Sequence, residues 1–179
     1  MTLVVLTGGA RAGKSALALE LAGRWDGDVV FVATAEAQDE EMRARIERHR
    51  TTRPPSWTTV EEPVALREAL ESLAGSQLVV VDCLTLWVAN LLERRDSEDD
   101  IVAEACTVAD IAAARSAPVI AVTNEVGLGV VPATPLGRTY RDVLGAVNRE
   151  FVARADDAGF VVAGRVLRLD VPVAFTGWA

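Results

Sequence analysis

Short, unbroken apolar runs alternate along this chain with longer stretches in which apolar residues recur every three or four positions. Runs of the first kind read as strands buried on both faces, and stretches of the second kind as helices with one apolar stripe. The runs predict strands at Leu3–Leu6, Val29–Ala33, Leu78–Val81, Val119–Val122 and Phe160–Ala163. A sixth short strand, Val166–Leu169, follows a turn at Gly164-Arg165. The periodic stretches predict helices over about Ser15–Arg24, Asp39–Arg50 and Val64–Leu73, part of Leu84–Arg95, and a segment within Asp99–Arg115. A last long helix starts near Pro135, a residue suited to a first turn, and stops at Asp156 to Gly159. Its Leu136, Tyr140, Leu144, Val147 and Phe151 recur at intervals of three or four, which predicts a core face. Strands alternating with helices argue for βαβ units and a parallel sheet. Ligands of such sheets bind beyond the carboxyl ends of the strands. The segments that matter most are therefore Thr7–Ser15, Thr34–Glu36, Asp82–Thr85 and Thr123–Gly129.

The first of these segments contains Gly8-Gly9-Ala10-Arg11-Ala12-Gly13-Lys14-Ser15, the G-x-x-x-x-G-K-S run of a phosphate-binding P-loop. A strand before it and a helix after it supply the context the motif requires. Its glycines let backbone N–H groups turn toward phosphate oxygens, and the helix N-terminus adds partial positive charge. Lys14 would reach the β- and γ-phosphates and the Ser15 hydroxyl would ligate Mg²⁺. As a loop residue, Lys14 is expected to be exposed. The strand Leu78–Val81 runs into Asp82, a carboxylate placed like the Walker B acid that helps to hold Mg²⁺. The plainer reading of Asp82 is a cap for the helix that follows.

Composition narrows the class. The chain has 179 residues, half of them hydrophobic, and a net charge of −8. That suits one catalytic domain, here residues 1–170, with 171–179 as a tail that has no periodicity. The negative charge disfavours a general nucleic-acid surface. No apolar run approaches the roughly 18 residues of a membrane span, and Met1–Leu6 is too short for a secretory signal. Cys83 and Cys106 have no metal-ligand spacing, so they read as reduced thiols of a cytoplasmic protein. Lys14 is the only lysine, and every other basic residue is arginine.

Five arginines, at 43, 45, 48, 50 and 53, crowd around the only histidine, His49. Met42, Ile46 and His49 fall on one face of a helix, so His49 points with the apolar stripe toward the body of the domain. One reading is a satisfied, half-buried histidine beside a solvated arginine face. Another is a second phosphate site, since guanidinium forks match phosphate oxygens and neutral imidazole is a competent nucleophile toward phosphorus. The rigid loop Arg53-Pro54-Pro55-Ser56-Trp57 could stack a base.

These blocks together resemble one family. They are the P-loop, Asp39–Met42 with Ile46-x-x-His49-Arg50-x-x-Arg53-Pro54-x-x-Trp57, Val60–Pro63, Asp82–Trp87 with Asn90–Leu92, and Thr123–Pro132. Arg141-Asp142-x-x-Gly145-x-x-Asn148 and Val161–Gly164 extend the likeness over nearly the whole chain. The family is that of the bifunctional adenosylcobinamide kinase/adenosylcobinamide-phosphate guanylyltransferases of cobalamin biosynthesis. With the strand pattern, it implies a P-loop NTPase-like (RecA-like) three-layer α/β fold with a mainly parallel central sheet.

The resemblance implies two reactions. A nucleoside triphosphate (ATP or GTP) phosphorylates adenosylcobinamide; GTP then transfers GMP to that phosphate, with pyrophosphate leaving. It implies a guanylyl-histidine at His49 and Mg²⁺ at Ser15 and Asp82. It also implies nucleotide contacts at Gly8, Gly9, Ala10, Arg11, Ala12, Gly13, Lys14 and Ser15, at Ala33, Thr34 and Ala35, and at Arg50, Thr51, Thr52 and Arg53. Glu61 and Asp82 complete the set, with Glu62 as the neighbouring alternative to Glu61. The family's homotrimeric assembly is a further implication. Ala12 departs from the serine expected in the P-loop, but a methyl group leaves the backbone cradle intact. The surface for the corrinoid is expected at Thr123–Pro132 and on the helix bearing Arg138, Arg141 and Asn148.

Two other classes explain part of the pattern. A monofunctional P-loop kinase or ATPase accounts for Lys14, Ser15 and Asp82 but leaves the His49 block unexplained. A GTP-binding switch would carry an N-K-x-D run to read guanine, and Thr123-Asn124-Glu125-Val126 lacks both its lysine and its aspartate.

Overall fold

In a computed structural model, residues 3–37 and 39–171 are described, without the side chains of Glu41, Arg45 and His49. The tail from 172 onward lies outside the described residues. Elements follow in the order β1 (Leu3–Gly8), α1 (Lys14–Ala22), β2 (Val29–Ala33), α2 (Glu40–Thr51), β3 (Thr58–Glu61), α3 (Leu66–Ser72) and β4 (Leu78–Asp82). Then come α4 (Leu84–Glu93), α5 (Glu98–Ala114), β5 (Val119–Val122), α6 (Pro135–Arg154), β6 (Asp157–Val162) and β7 (Arg165–Arg168). The seven strands form one sheet in the order β3-β2-β4-β5-β1-β6-β7. All neighbours are parallel except β7, which turns back antiparallel on β6.

Both faces of the sheet are covered, which is why the central strands are continuous apolar runs. On one face Val5, Val32, Val81 and Ala121 meet Trp87, Ile101, Leu144 and Phe151 from α4, α5 and α6. On the other, Leu6, Phe31, Val80 and Ile120 meet Ala18 and Ala22 of α1. Helix starts are set locally. The side chains of Asp39, Ser97 and Thr134 accept hydrogen bonds from the backbone N–H groups of Met42, Asp100 and Gly137, opening α2, α5 and α6. Glu98, Asp99 and Asp100 add negative charge at the positive end of α5.

Three expectations change. β3 is a strand that the apolar pattern does not announce, because Thr58-Thr59-Val60-Glu61 is short, half-exposed and at the sheet edge. The stretch Asp157–Gly159, expected to terminate the last helix, is instead the first half of β6 and pairs with Val4–Leu6. Leu136, expected in the core, is 67% exposed; the first turn of α6 projects beyond the packed face, which begins in earnest at Val143 and Leu144.

Candidate functional site

The P-loop sits where the sheet carries β1 between β5 and β6. β1 ends at Gly8, where φ is 143° and a Cβ atom would overlap the carbonyl oxygen of Val161 on β6. Only glycine lets the chain leave the sheet there. Gly13, with φ 104°, opens α1. Between them Ala12 accepts a hydrogen bond from the N–H of Gly164 at 2.9 Å, so the turn between β6 and β7 abuts the loop. Lys14 is not exposed as expected but 6% accessible. Its ammonium donates to the carbonyls of Gly8 at 2.9 Å and Gly9 at 2.7 Å. Burial lowers its pKa, with nearby Asp82 pulling the other way.

Above the loop opens a cleft of about 640 Å³. That is room for one drug-sized ligand, in the size range of ordinary ligand sites. Of the residues picked out from sequence, the cleft wall contains Ala10, Arg11, Ala12, Gly13, Lys14, Ser15, Ala33, Ala35, Thr52, Arg53 and Asp82. Met42, Ile46 and Arg48 bring α2 to the same wall, and Cys83, Leu86 and Asn124 complete the far side. Arg48, Cys83 and Leu86 belong to the arginine cluster and to the block after Asp82 read from sequence, but were not among the expected nucleotide contacts. Gly8 and Gly9 lie beneath the wall as acceptors for Lys14. Arg50 and Thr51 are exposed on α2, and Glu61 is exposed at the end of β3, outside the wall. His49 belongs to α2, while its side chain lies outside the described residues.

Arg53 is the best-seated cation of the cleft. Its guanidinium lies 3.7 Å over the ring of Phe31 and donates to Thr59 Oγ1 at 3.4 Å. Its Nε is buried without a hydrogen-bond partner. Burial lowers its pKa, opposed by Asp82. Glu62 uses its carboxylate on the N–H groups of Val64 and Ala65, ahead of α3. That leaves Glu61, of the two glutamates, to join Asp82 in favouring the charge of Arg53.

Asp82 closes β4 and shares the wall with Ser15. Their hard oxygen donors fit Mg²⁺, which takes one or two protein ligands plus phosphate oxygens and water. Among the described residues no group of three or more His, Cys, Asp or Glu side chains could cage an ion alone. Cys83 is a poor nucleophile here, because burial, then the charge of Asp82, pushes its thiol up to about 11. Thr34 is fully buried behind the wall. Its hydroxyl donates to the Cys83 carbonyl at 2.7 Å and accepts from the Cys83 N–H at 2.8 Å.

The segment after β5 is held from below. Thr123 Oγ1 donates to Asn148 Oδ1 at 2.6 Å, and Asn148 Nδ2 donates to the Asn124 carbonyl at 2.9 Å. Asn124 N–H donates to Thr85 Oγ1, and Tyr140 OH to the Thr85 carbonyl. Arg138 donates to the carbonyls of Pro132 and Ala133. Asn148 and Arg138, expected on a ligand surface, thus shape the loop. The loop itself presents Leu128, Val130 and Val131 to solvent.

Known proteins share this sequence and fold to different depths. Residues 4–169 match a family described as cobinamide kinase / cobinamide phosphate guanyltransferase. The bifunctional adenosylcobalamin biosynthesis protein CobP of Pseudomonas aeruginosa is 42% identical over 166 residues, covering 89% of this chain and 92% of its own. The bifunctional adenosylcobalamin biosynthesis protein CobU of Escherichia coli K12 is 39% identical over 177 residues, covering 90% and 96%. In fold, a Pyrococcus horikoshii OT3 protein superposes with a TM-score of 0.56 at 8% identity, over 93% of this chain and 85% of its own. A prototypical ATPase of a bacterial type III secretion system gives 0.52 at 11% identity, over 89% and 50%. Those two likenesses concern the fold alone.

Proposed function

Because the chain belongs to the cobinamide kinase / cobinamide phosphate guanyltransferase family, we propose that its cleft serves two successive transfers to one corrinoid substrate. In the first, the terminal phosphoryl group of a nucleoside triphosphate passes to the aminopropanol hydroxyl of adenosylcobinamide. In the second, GMP passes from GTP to the new phosphate. The observation that carries this reading is that the P-loop, Asp82 and the His49-bearing helix α2 border one cleft.

In the first step the loop N–H groups and Lys14 hold the β- and γ-phosphates, and Lys14 exchanges the carbonyls of Gly8 and Gly9 for phosphate oxygens. Ser15 and Asp82 would hold Mg²⁺, which would neutralise charge on the transferring phosphates. In the second step an imidazole nitrogen of His49 attacks the α-phosphorus of GTP. The bond from that phosphorus to the α–β bridging oxygen breaks, and pyrophosphate leaves. An oxygen of the substrate phosphate then attacks the same phosphorus. The P–N bond breaks, and its electron pair returns to the imidazole. His49 follows Ile46 by three residues, the spacing that keeps one helix face, and Ile46 is in the wall. Arg53, held over Phe31, supplies a preorganised cation for the developing charge. Contacts from the exposed Arg50, Thr51 and Glu61 require α2 and β3 to close over the nucleotide.

The reading includes one catalytic domain over residues 1–170, location in the cytoplasm, and assembly as a homotrimer. Among the described residues no helix is long and apolar enough to cross a membrane. Incubation with GTP followed by intact-protein mass spectrometry tests the second transfer. A gain of one GMP, removed again by adenosylcobinamide phosphate, is the expected result; no adduct would leave a monofunctional kinase.

A further inference from the structure

Thr34 was expected to touch the nucleotide, yet each of its polar groups is engaged inside the protein. Its N–H donates to the Asp82 carbonyl at 3.2 Å. Its hydroxyl donates to the carbonyl of Cys83 and accepts from the N–H of Cys83. Its own carbonyl accepts from Nδ2 of Asn90 at 2.9 Å. A hydroxyl has a single proton to give, and this one is given to Cys83. The residue is 0% exposed, so its side chain presents nothing to the cleft. Asn90, itself buried, gives its second amide proton to the carbonyl of Pro63 at 2.9 Å. A chain of hydrogen bonds thus runs from the Pro63 turn through Asn90 and Thr34 to the backbone on both sides of the Asp82–Cys83 peptide.

We propose that Thr34 and Asn90 are positioning residues that fix the Asp82 carboxylate at the phosphate end of the cleft, and that Thr34 is not a nucleotide contact. Where a carboxylate at a strand end can reach depends on where the backbone sets its Cα, and the chain beyond it sets that backbone. Here the next residue is held at both its N–H and its C=O by one side chain. Thr34 and Asn90 are 56 positions apart, and the pair joins the ends of β2 and β4 to the loop after β3. Outer partners of this kind set ligand orientation and govern metal affinity by about 10- to 100-fold.

The inference rests on the cleft being a P-loop triphosphate site with Asp82 acting through Mg²⁺, and the experiment separates the two. GTP binding is measured by calorimetry on the intact protein, once in EDTA and once in excess Mg²⁺. Thr34→Val keeps the shape and removes the hydroxyl. It should weaken binding about tenfold in Mg²⁺ and leave binding in EDTA within about twofold, with Thr34→Ser recovering most of the loss. Asn90→Ser, which cannot bridge both carbonyls, should give the same Mg²⁺-selective loss with Thr34 intact, so the result does not hang on one variant folding well. Equal losses in EDTA and Mg²⁺ would make Thr34 a direct nucleotide contact and overturn the proposal, as would no loss in either. Asp82→Asn is the reference. A Mg²⁺-selective loss there but not in Thr34→Val refutes the positioning role alone. No selective loss in Asp82→Asn refutes the metal role, and the positioning role with it.

Discussion

Lys14 is held on two carbonyls at the start of its own loop, while burial disfavours its charge and nearby Cys83 and Asp82 favour it. A bound triphosphate would offer that ammonium a better partner than the two carbonyls it now holds. Lys14→Ala is therefore expected to lower phosphorylation of adenosylcobinamide by about a hundredfold or more, the usual loss for one preorganised donor. The far-ultraviolet circular dichroism should be unchanged, because the ammonium bonds only carbonyls at the end of β1 and the start of the loop, and both can turn to water once the side chain is gone. At position 49, asparagine keeps similar size and polarity but cannot form a stable phosphoramidate. His49→Asn should abolish the covalent GMP adduct and guanylyl transfer yet retain measurable kinase activity, since Lys14, Ser15 and Asp82 are untouched. Radiolabelled GTP reads the adduct and substrate phosphorylation reads the kinase; an adduct on the variant would move the nucleophile elsewhere. That Lys14, Ser15 and Asp82 share one cleft wall was legible because motif and strand context are local. The hydrogen bonds of Thr34 and Asn148 inside the protein were not. Their partners lie 49 and 25 positions away, and nothing in a linear pattern tells a buried polar side chain that binds a ligand from one that binds its own backbone.

Elements were legible in proportion to how completely they are buried. β2 and β5 carry uninterrupted apolar runs because both their faces are covered, and their bounds are those read from sequence. β3 escapes because an edge strand needs only one partner, β2, and no apolar run. The start of β6 escapes because Asp157, Ala158 and Gly159 are chosen for closeness to β1 rather than for apolar bulk. That closeness has its sharpest expression at Gly8, where β1 and β6 leave no space for a methyl group. Gly8→Ala must displace backbone rather than a flexible side chain. It is expected to cost about 2 kcal/mol or more in a urea titration, at the upper end for overpacking a tight site. Gly9→Ala, which meets nothing within 4 Å, serves as the control that should stay near wild type.

At the scale of the molecule, Leu128, Val130, Val131 and Leu136 are all exposed in a chain with net charge −8. Scattered exposed aliphatics are ordinary, but four within nine residues beside a cleft suggest a covered surface. Sedimentation should find a trimer at micromolar concentration. Val130→Asp, which adds charge to the most exposed of the four at 97%, should shift it toward the monomer if this segment lies in the assembly. A monomer in the unaltered protein would remove the trimer from the reading. Whatever the assembly, the order of strands has a consequence for how the protein comes into being. β1 is the first strand to leave the ribosome, yet its two neighbours, β5 and β6, are among the last. The loop that follows β1 is backed by Val161 and bonded by Gly164, residues made about 150 positions later. The nucleotide cradle is thus translated well before the parts that finish it. A nascent chain carries its most recognisable motif through every element from α1 to α6 before the strand and turn that give it shape are made.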